Sequence, residues 1–172
     1  MSERVIGPGA GVRVRAARPD DHDAIARVSV AAYEADGQLK DEVSYAATLA
    51  DVASRAVDGE IYVAVDEGDA VLGAVTFVLP GSTYAELSGP GEAEFRMLAV
   101  DPVAQGRGVG EALARACVRR AVELECTAVV ICTRDFAAPA QRLYARLGFV
   151  RQPQLDWSPM PGVDLLGLRL EL

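Results

Sequence analysis

An α/β fold on one mixed sheet is predicted by three features of the sequence. Strand-like alternation and helical spacing of apolar residues succeed one another in the order β-α-α-β-β-β-α-β-α-β-β. The 172 residues are enough for one domain with a single substantial core. No internal repeat or linker breaks the series.

The elements follow in turn. "GVRVRAAR" alternates as a strand. "RPDDHDAIARVSVAAYEA" reads as a helix, with Asp20 or Asp21 as N-cap and Ile25, Val28 and Ala32 at helical spacing. "KDEVSYAATLADVASRA" reads as a second helix, ended by Asp58-Gly59. "EIYVAVDEGDAVLGAVTFVL" is a hairpin of two β-branched strands about Glu67-Gly68-Asp69. The loop "PGSTYAELSGPGE" leads to the strand "AEFRMLAV". After three alternate glycines comes a helix whose buried stripe is Val109, Ala112, Leu113, Ala116 and Cys117. "TAVVICT" is a buried strand, and "APAQRLYARLGF" a helix with Pro139 near its start and Gly148 at its C-terminal cap. "VDLLGLRLEL" reads as the last strand.

Composition narrows the function classes. About half of the residues are apolar and a quarter charged, the balance of an ordinary soluble domain. The start "MSERVIGPGAG" lacks the apolar core of a signal peptide, and no apolar run approaches about 18 residues, so a cytoplasmic protein without a membrane partner is expected. Cys117, Cys126 and Cys132 show no CxxC spacing and read as reduced core residues. His22 stands alone in an acidic helix start, so no metal site is expected. The net charge is −8, and residues 1–100 carry 8 Lys+Arg against 17 Asp+Glu while residues 101–172 carry 9 against 8. That balance argues against nucleic acid, which needs a basic face. It leaves two readings of the acidic half, a solvated surface or a mouth that attracts a cationic substrate.

The glycines lie in "AVDPVAQGRGVG", between a strand and a helix. There the helix N–H groups lack partners, the helix dipole is positive, and glycine lets a phosphate approach without Cβ contacts. Two common phosphate loops do not fit. GxxxxGK(S/T) is absent, and GxGxxG would need glycine or alanine where Glu111 stands.

The stretch Gln105-Gly106-Arg107-Gly108-Val109-Gly110 matches the Q/R-x-x-G-x-G/A signature of the GCN5-related N-acetyltransferase (GNAT) family, which the chain strongly resembles. Leu98-Ala99-Val100-Asp101-Pro102 matches that family's LxVxP strand end, and Leu143-Tyr144-Ala145-Arg146-Leu147-Gly148-Phe149 its LYxxxGF segment. The resemblance implies one GNAT-like domain over residues 12–172, its central sheet mixed and mostly antiparallel, with 1–11 a flexible N-terminal segment. It implies acetyl-CoA as co-substrate and no metal. The pyrophosphate would lie on Gln105, Gly106, Gly108, Val109 and Gly110, with charge from Arg107. Backbone N–H groups at Leu98, Ala99 and Val100 would bind the pantetheine arm and polarise the thioester, in a wedge where their strand bulges and leaves its neighbour.

Acetyl transfer to an amine needs a base for the ammonium and an acid for the departing thiolate. By resemblance Glu94 is the candidate base, with Glu92 its nearest substitute, and Tyr144 the candidate acid. Where family members often carry asparagine, seven residues before that tyrosine, this chain has Ala137. The family's acceptor regions correspond here to Tyr33, Glu34, Asp36, Glu42, Tyr45 and "QPQLDWSPMPGVD", with Tyr33 and Trp157 the candidate acceptor contacts and Trp157 placed in a loop. The expected activity is transfer of an acetyl group to a primary amine by direct attack in a ternary complex. The alternative is an acyl-CoA sensor of the same fold, which would be expected to lose Glu94, Tyr144 or both. A homodimer through the C-terminal strands is a further implication of the resemblance.

Overall fold

The computed structural model describes residues 11–40 and 44–172, so the segment expected to be flexible lies outside it except for Gly11. The strands are β1 (Arg13–Ala16), β2 (Glu60–Val65), β3 (Val71–Val78), β4 (Glu92–Val100), β5 (Ala128–Arg134), β6 (Val150–Arg151), β7 (Trp157–Met160) and β8 (Val163–Glu171). The helices are α1 (His22–Ala35), α2 (Tyr45–Ala50), α3 (Val52–Asp58), α4 (Val109–Glu123) and α5 (Ala138–Arg146). The sheet runs β1-β2-β3-β4-β5-β8-β6, with β7 on β8, and among the described residues only β4 and β5 pair in parallel. The mixed, mostly antiparallel sheet of the expectation is present.

Period-two alternation sorts the apolar side chains onto two faces. On one, Ile61, Val63, Val65 and Val71 meet Ile25 and Val28 of α1 and Val52 of α3. On the other, Ala64, Val75, Phe77, Phe95, Val129 and Ile131 meet Val109, Leu113 and Cys117 of α4. Central β3 is buried along its whole length because helices cover both faces. At Gly73 a Cβ would stand 2.7 Å from the Ala99 carbonyl and 2.8 Å from Val109 Cγ1, so glycine there lets α4 seat its first turn on the sheet.

Three expectations change on this backbone. The second predicted helix is two, broken at Asp51, whose ψ of 69° leaves the helical region and whose carboxylate caps Ser54 N–H of α3. Buried Arg55 secures the break, donating to the Thr48 and Leu49 carbonyls of α2 and to Thr76 Oγ1 of β3. Asp21 occupies the N-cap of α1 without capping it, because its carboxylate turns back to the Arg15 guanidinium at 2.7 and 3.0 Å. Trp157, expected in a loop, opens strand β7 opposite Leu165.

β4 leaves β5 after three paired residues, Glu92 to Glu94, while β5 stays on β8 from Ala128 to Arg134. The cause is a bulge: Thr76 pairs with Arg96 but Ala74 with Ala99, so two steps on β3 face three on β4. Met97 is the extra residue, at φ 56°, a left-handed conformation that costs a side-chain-bearing residue about 1–2 kcal/mol. The wedge that opens is the place for chemistry.

Candidate active site

A cleft of about 980 Å³ fills the wedge. Residues 95–100 of β4 form one wall, and residues 131–134 of β5 with Ala140, Leu143 and Tyr144 of α5 the other. The glycine loop borders it with Gln105, Gly106, Gly108, Val109 and Gly110. Gly106 and Gly108 hold φ of 81° and 76°, so both need glycine for the backbone itself. Among the described residues, Ala112 is the first of α4 whose N–H reaches back to a carbonyl, that of Gly108, so the N–H groups of Val109, Gly110 and Glu111 stay available at a positive helix end. A Cβ at Gly110 would stand 3.4 Å from Leu143 and 3.6 Å from Leu98 and Val100, between the two walls. This cradle fits an extended phosphate ester whose arm runs on into the wedge. Arg107, in contrast, is exposed and is not part of the lining.

Tyr144 is buried in the wall. Its ring lies 5.9 Å from that of Phe95 and 5.7 Å from that of Phe149, and its hydroxyl makes no hydrogen bond to a described residue. Burial pushes its phenol above the usual range, with Cys117 and Cys132 adding to the effect. Ala137 also lines the cleft, without the polar group an asparagine would bring.

Glu94 is elsewhere. It is 0% exposed and is not part of the cleft lining. Its oxygens accept the backbone N–H groups of Glu86, Leu87 and Ser88 at 3.0 to 3.1 Å and the Ser88 hydroxyl at 3.0 Å. Glu92 is likewise committed, to Gly89 N–H and Arg169. The carboxylates that do line the cleft are Asp36, Glu111 and Glu86, and Glu86 lies 2.7 Å from Arg96 Nε. The sequence reading missed Glu86 and Arg96. The signal was available, since two charges inside the otherwise apolar "AEFRMLAV" require buried partners.

Tyr33 lines the cleft beside Asp36, its ring 5.8 Å from that of Tyr45. Burial raises the Asp36 carboxyl above its usual range, against a weak hydrogen bond from Gln38. Tyr45 Oη lies 3.4 Å from Arg96 Nη2, and Arg96 Nη1 donates to the Tyr84 carbonyl. Trp157 lies behind the wall, and its buried indole N–H faces the Cys132 sulfur without making a well-formed hydrogen bond. Cys132, expected in the core, lines the cleft, and burial with the nearby Glu86 charge pushes its thiol up to about 12. Among the described residues no acid, histidine and cysteine cluster suits a metal ion, and no helix is long and apolar enough to cross a membrane.

Known proteins resemble this chain in sequence and in fold. The chain is 40% identical over 76 residues to N-alpha-acetyltransferase 30 of Xenopus laevis, a match covering 44% of this chain and 28% of that protein. It is 32% identical over 114 residues to an N-acetyltransferase of Schizosaccharomyces pombe, covering 66% and 64%. A GNAT-family acetyltransferase from Staphylococcus aureus superposes with a TM-score of 0.73 at 13% identity, covering 94% of this chain and 99% of that one. A GCN5-related N-acetyltransferase from Kribbella flavida superposes at 0.63 and 25% identity, covering 94% and 98%. Residues 22–149, from the first helix through the glycine loop to Phe149, match the acetyltransferase (GNAT) family, and the chain belongs to it.

Proposed function

We propose that this chain transfers the acetyl group of acetyl-CoA to a primary amine, small-molecule or protein-borne, by direct attack in a ternary complex. The observation that carries the reading is the wedge itself. One edge offers unpaired helix N–H groups behind glycines of positive φ, and a tyrosine hydroxyl stands in its wall. The loop from Gln105 to Gly110 would hold the pyrophosphate, and the splayed backbone at Leu98, Ala99 and Val100 would hold the pantetheine arm and polarise the thioester carbonyl. Tyr144 donates its proton to the departing sulfur. A phenol kept neutral by burial suits that role.

The acceptor enters past Tyr33, Tyr45 and Asp36. Carboxylates at Asp36 and Glu86 on this side favour an amine that carries a further positive charge. Trp157 supports the wall from behind, through its pairing with Leu165, and leaves acceptor contact to Tyr33. The test is thiol release from acetyl-CoA over a panel of amines, including peptide N-termini, lysine side chains and polyamines, with the product identified by mass. Transfer to at least one amine is expected. Tight acetyl-CoA binding without transfer to any of them would favour the sensor.

A further inference from the structure

The loop between β3 and β4 is tied to the active site through two acids eight residues apart. Glu94, at the start of the splay, receives three successive N–H groups of that loop, those of Glu86, Leu87 and Ser88. Donors that converge in this way fix the loop and thereby aim the next side chain. That side chain is Glu86, which turns into the cleft and meets Arg96 of β4 at 2.7 Å. Arg96 lies just past Glu94, the last β4 residue paired with β5, so Glu86 stands where β4 and β5 part. Asp36 also lines the cleft, but its partner there is Gln38 rather than a residue of β4.

We propose that Glu86 is the carboxylate that takes the proton of the acceptor's ammonium, and that Glu94 is a positioning residue that holds the Glu86 loop. The inference rests on the acetyl-transfer reading above. Glu94 itself is walled in by four donors, so its oxygens are already committed to the loop. In the step, one N–H proton of the ammonium passes to the Glu86 carboxylate, directly or through one water, and from there to solvent. The freed nitrogen lone pair forms the C–N bond to the acetyl carbon. The C–S bond breaks with its electron pair going to sulfur, which takes a proton from Tyr144. The second proton leaving the nitrogen restores Tyr144, so the balance is one acetamide, one thiol and one proton released. Arg96 fixes the Glu86 side chain, Glu94 accepts the Glu86 N–H, and Tyr33, Tyr45, Asp36 and Cys132 line the same cleft.

The experiment is the pH profile of kcat/KM for Glu86→Gln against the unaltered protein, with a peptide α-amine as acceptor. Without the base only the neutral amine reacts, so the variant should lose tenfold per pH unit below the amine's own pKa of about 8. At pH 6 the loss is expected to exceed tenfold, shrinking above pH about 9, with KM for acetyl-CoA unchanged. In a double-mutant cycle, Glu94→Gln should add little once Glu86 is gone. An unaltered protein that transfers acetyl groups while Glu86→Gln matches it at every pH would overturn this inference alone. The same pH signature in Glu94→Gln or Asp36→Asn but not in Glu86→Gln would do so too. Absence of transfer by the unaltered protein would instead overturn the reading beneath it.

Discussion

The rings of Phe95 and Tyr144 lie 5.9 Å apart at 57° to one another, one on β4 and the other on α5. Because β4 has already left β5 at this level, the two side chains meet across the mouth of the splay and with Phe149 form a three-ring cluster. Tilted aromatic pairs prefer definite angles, so the cluster holds the phenol ring in one orientation. The hydroxyl is then aimed by packing, without a hydrogen-bond partner among the described residues.

Tyr144→Phe should therefore keep the fold and the acetyl-CoA affinity but lower kcat roughly a hundredfold, the size of a lost general acid. Steady-state kinetics with both substrates varied would check this. Unchanged kcat would make Tyr144 a packing residue and nothing more.

The glycine loop makes a prediction about binding. Saturating acetyl-CoA should raise the melting temperature, since a ligand at about 100 times its Kd adds about 2.7 kcal/mol of stability. Gly108→Val should remove most of that shift, because valine resists the φ of 76° that glycine adopts there. Gly110→Val should remove it by filling the space between Leu98, Val100 and Leu143. Differential scanning fluorimetry reads both. A full shift in both variants would sink the assignment of this loop to the pyrophosphate.

Charge at the acceptor side predicts a salt effect. Asp36 and Glu86 face the cleft, and the first 100 residues carry most of the chain's negative charge. For a cationic acceptor, kcat/KM should fall as ionic strength rises while kcat stays level, because screening over about 8–10 Å weakens capture. A preference for anionic amines, with no salt dependence, would contradict it.

Acid should act on the C-terminal hairpin. Asp156 accepts two hydrogen bonds from Arg151, at 2.8 and 2.9 Å, and one from Gly167 N–H at 2.7 Å. These partners hold its carboxyl at about 2, below the ordinary 3.8. A depressed folded-state value means the contribution is present above pH 3.8 and is lost as pH falls toward 2. Urea midpoints should thus fall over this window less steeply in Asp156→Asn than in the unaltered protein, and equal slopes would refute the linkage.

What the sequence by itself determined is what local geometry dictates. Helix and strand periods are written in neighbouring residues, so β2 to β5, α1, α4 and α5 were legible within a residue or two at most ends. The loop from Gln105 to Gly110 was legible for a similar reason, since positive φ and close approach single out glycine in any context. Tyr144 could be placed on the correct helix and face from spacing alone. The tertiary structure alone decided that Glu86, and not Glu94, meets the cleft. Glu94 and Glu86 differ in placement because hydrogen bonds between a strand and a loop turn one inward and the other toward the wedge. Long-range contacts of the same kind broke the second helix at Asp51, drew Trp157 into an edge strand beside Leu165, and brought Cys132 to the cleft once β4 departed from β5. Periodicity records which face a residue occupies, and it carries no information on the partner that waits there.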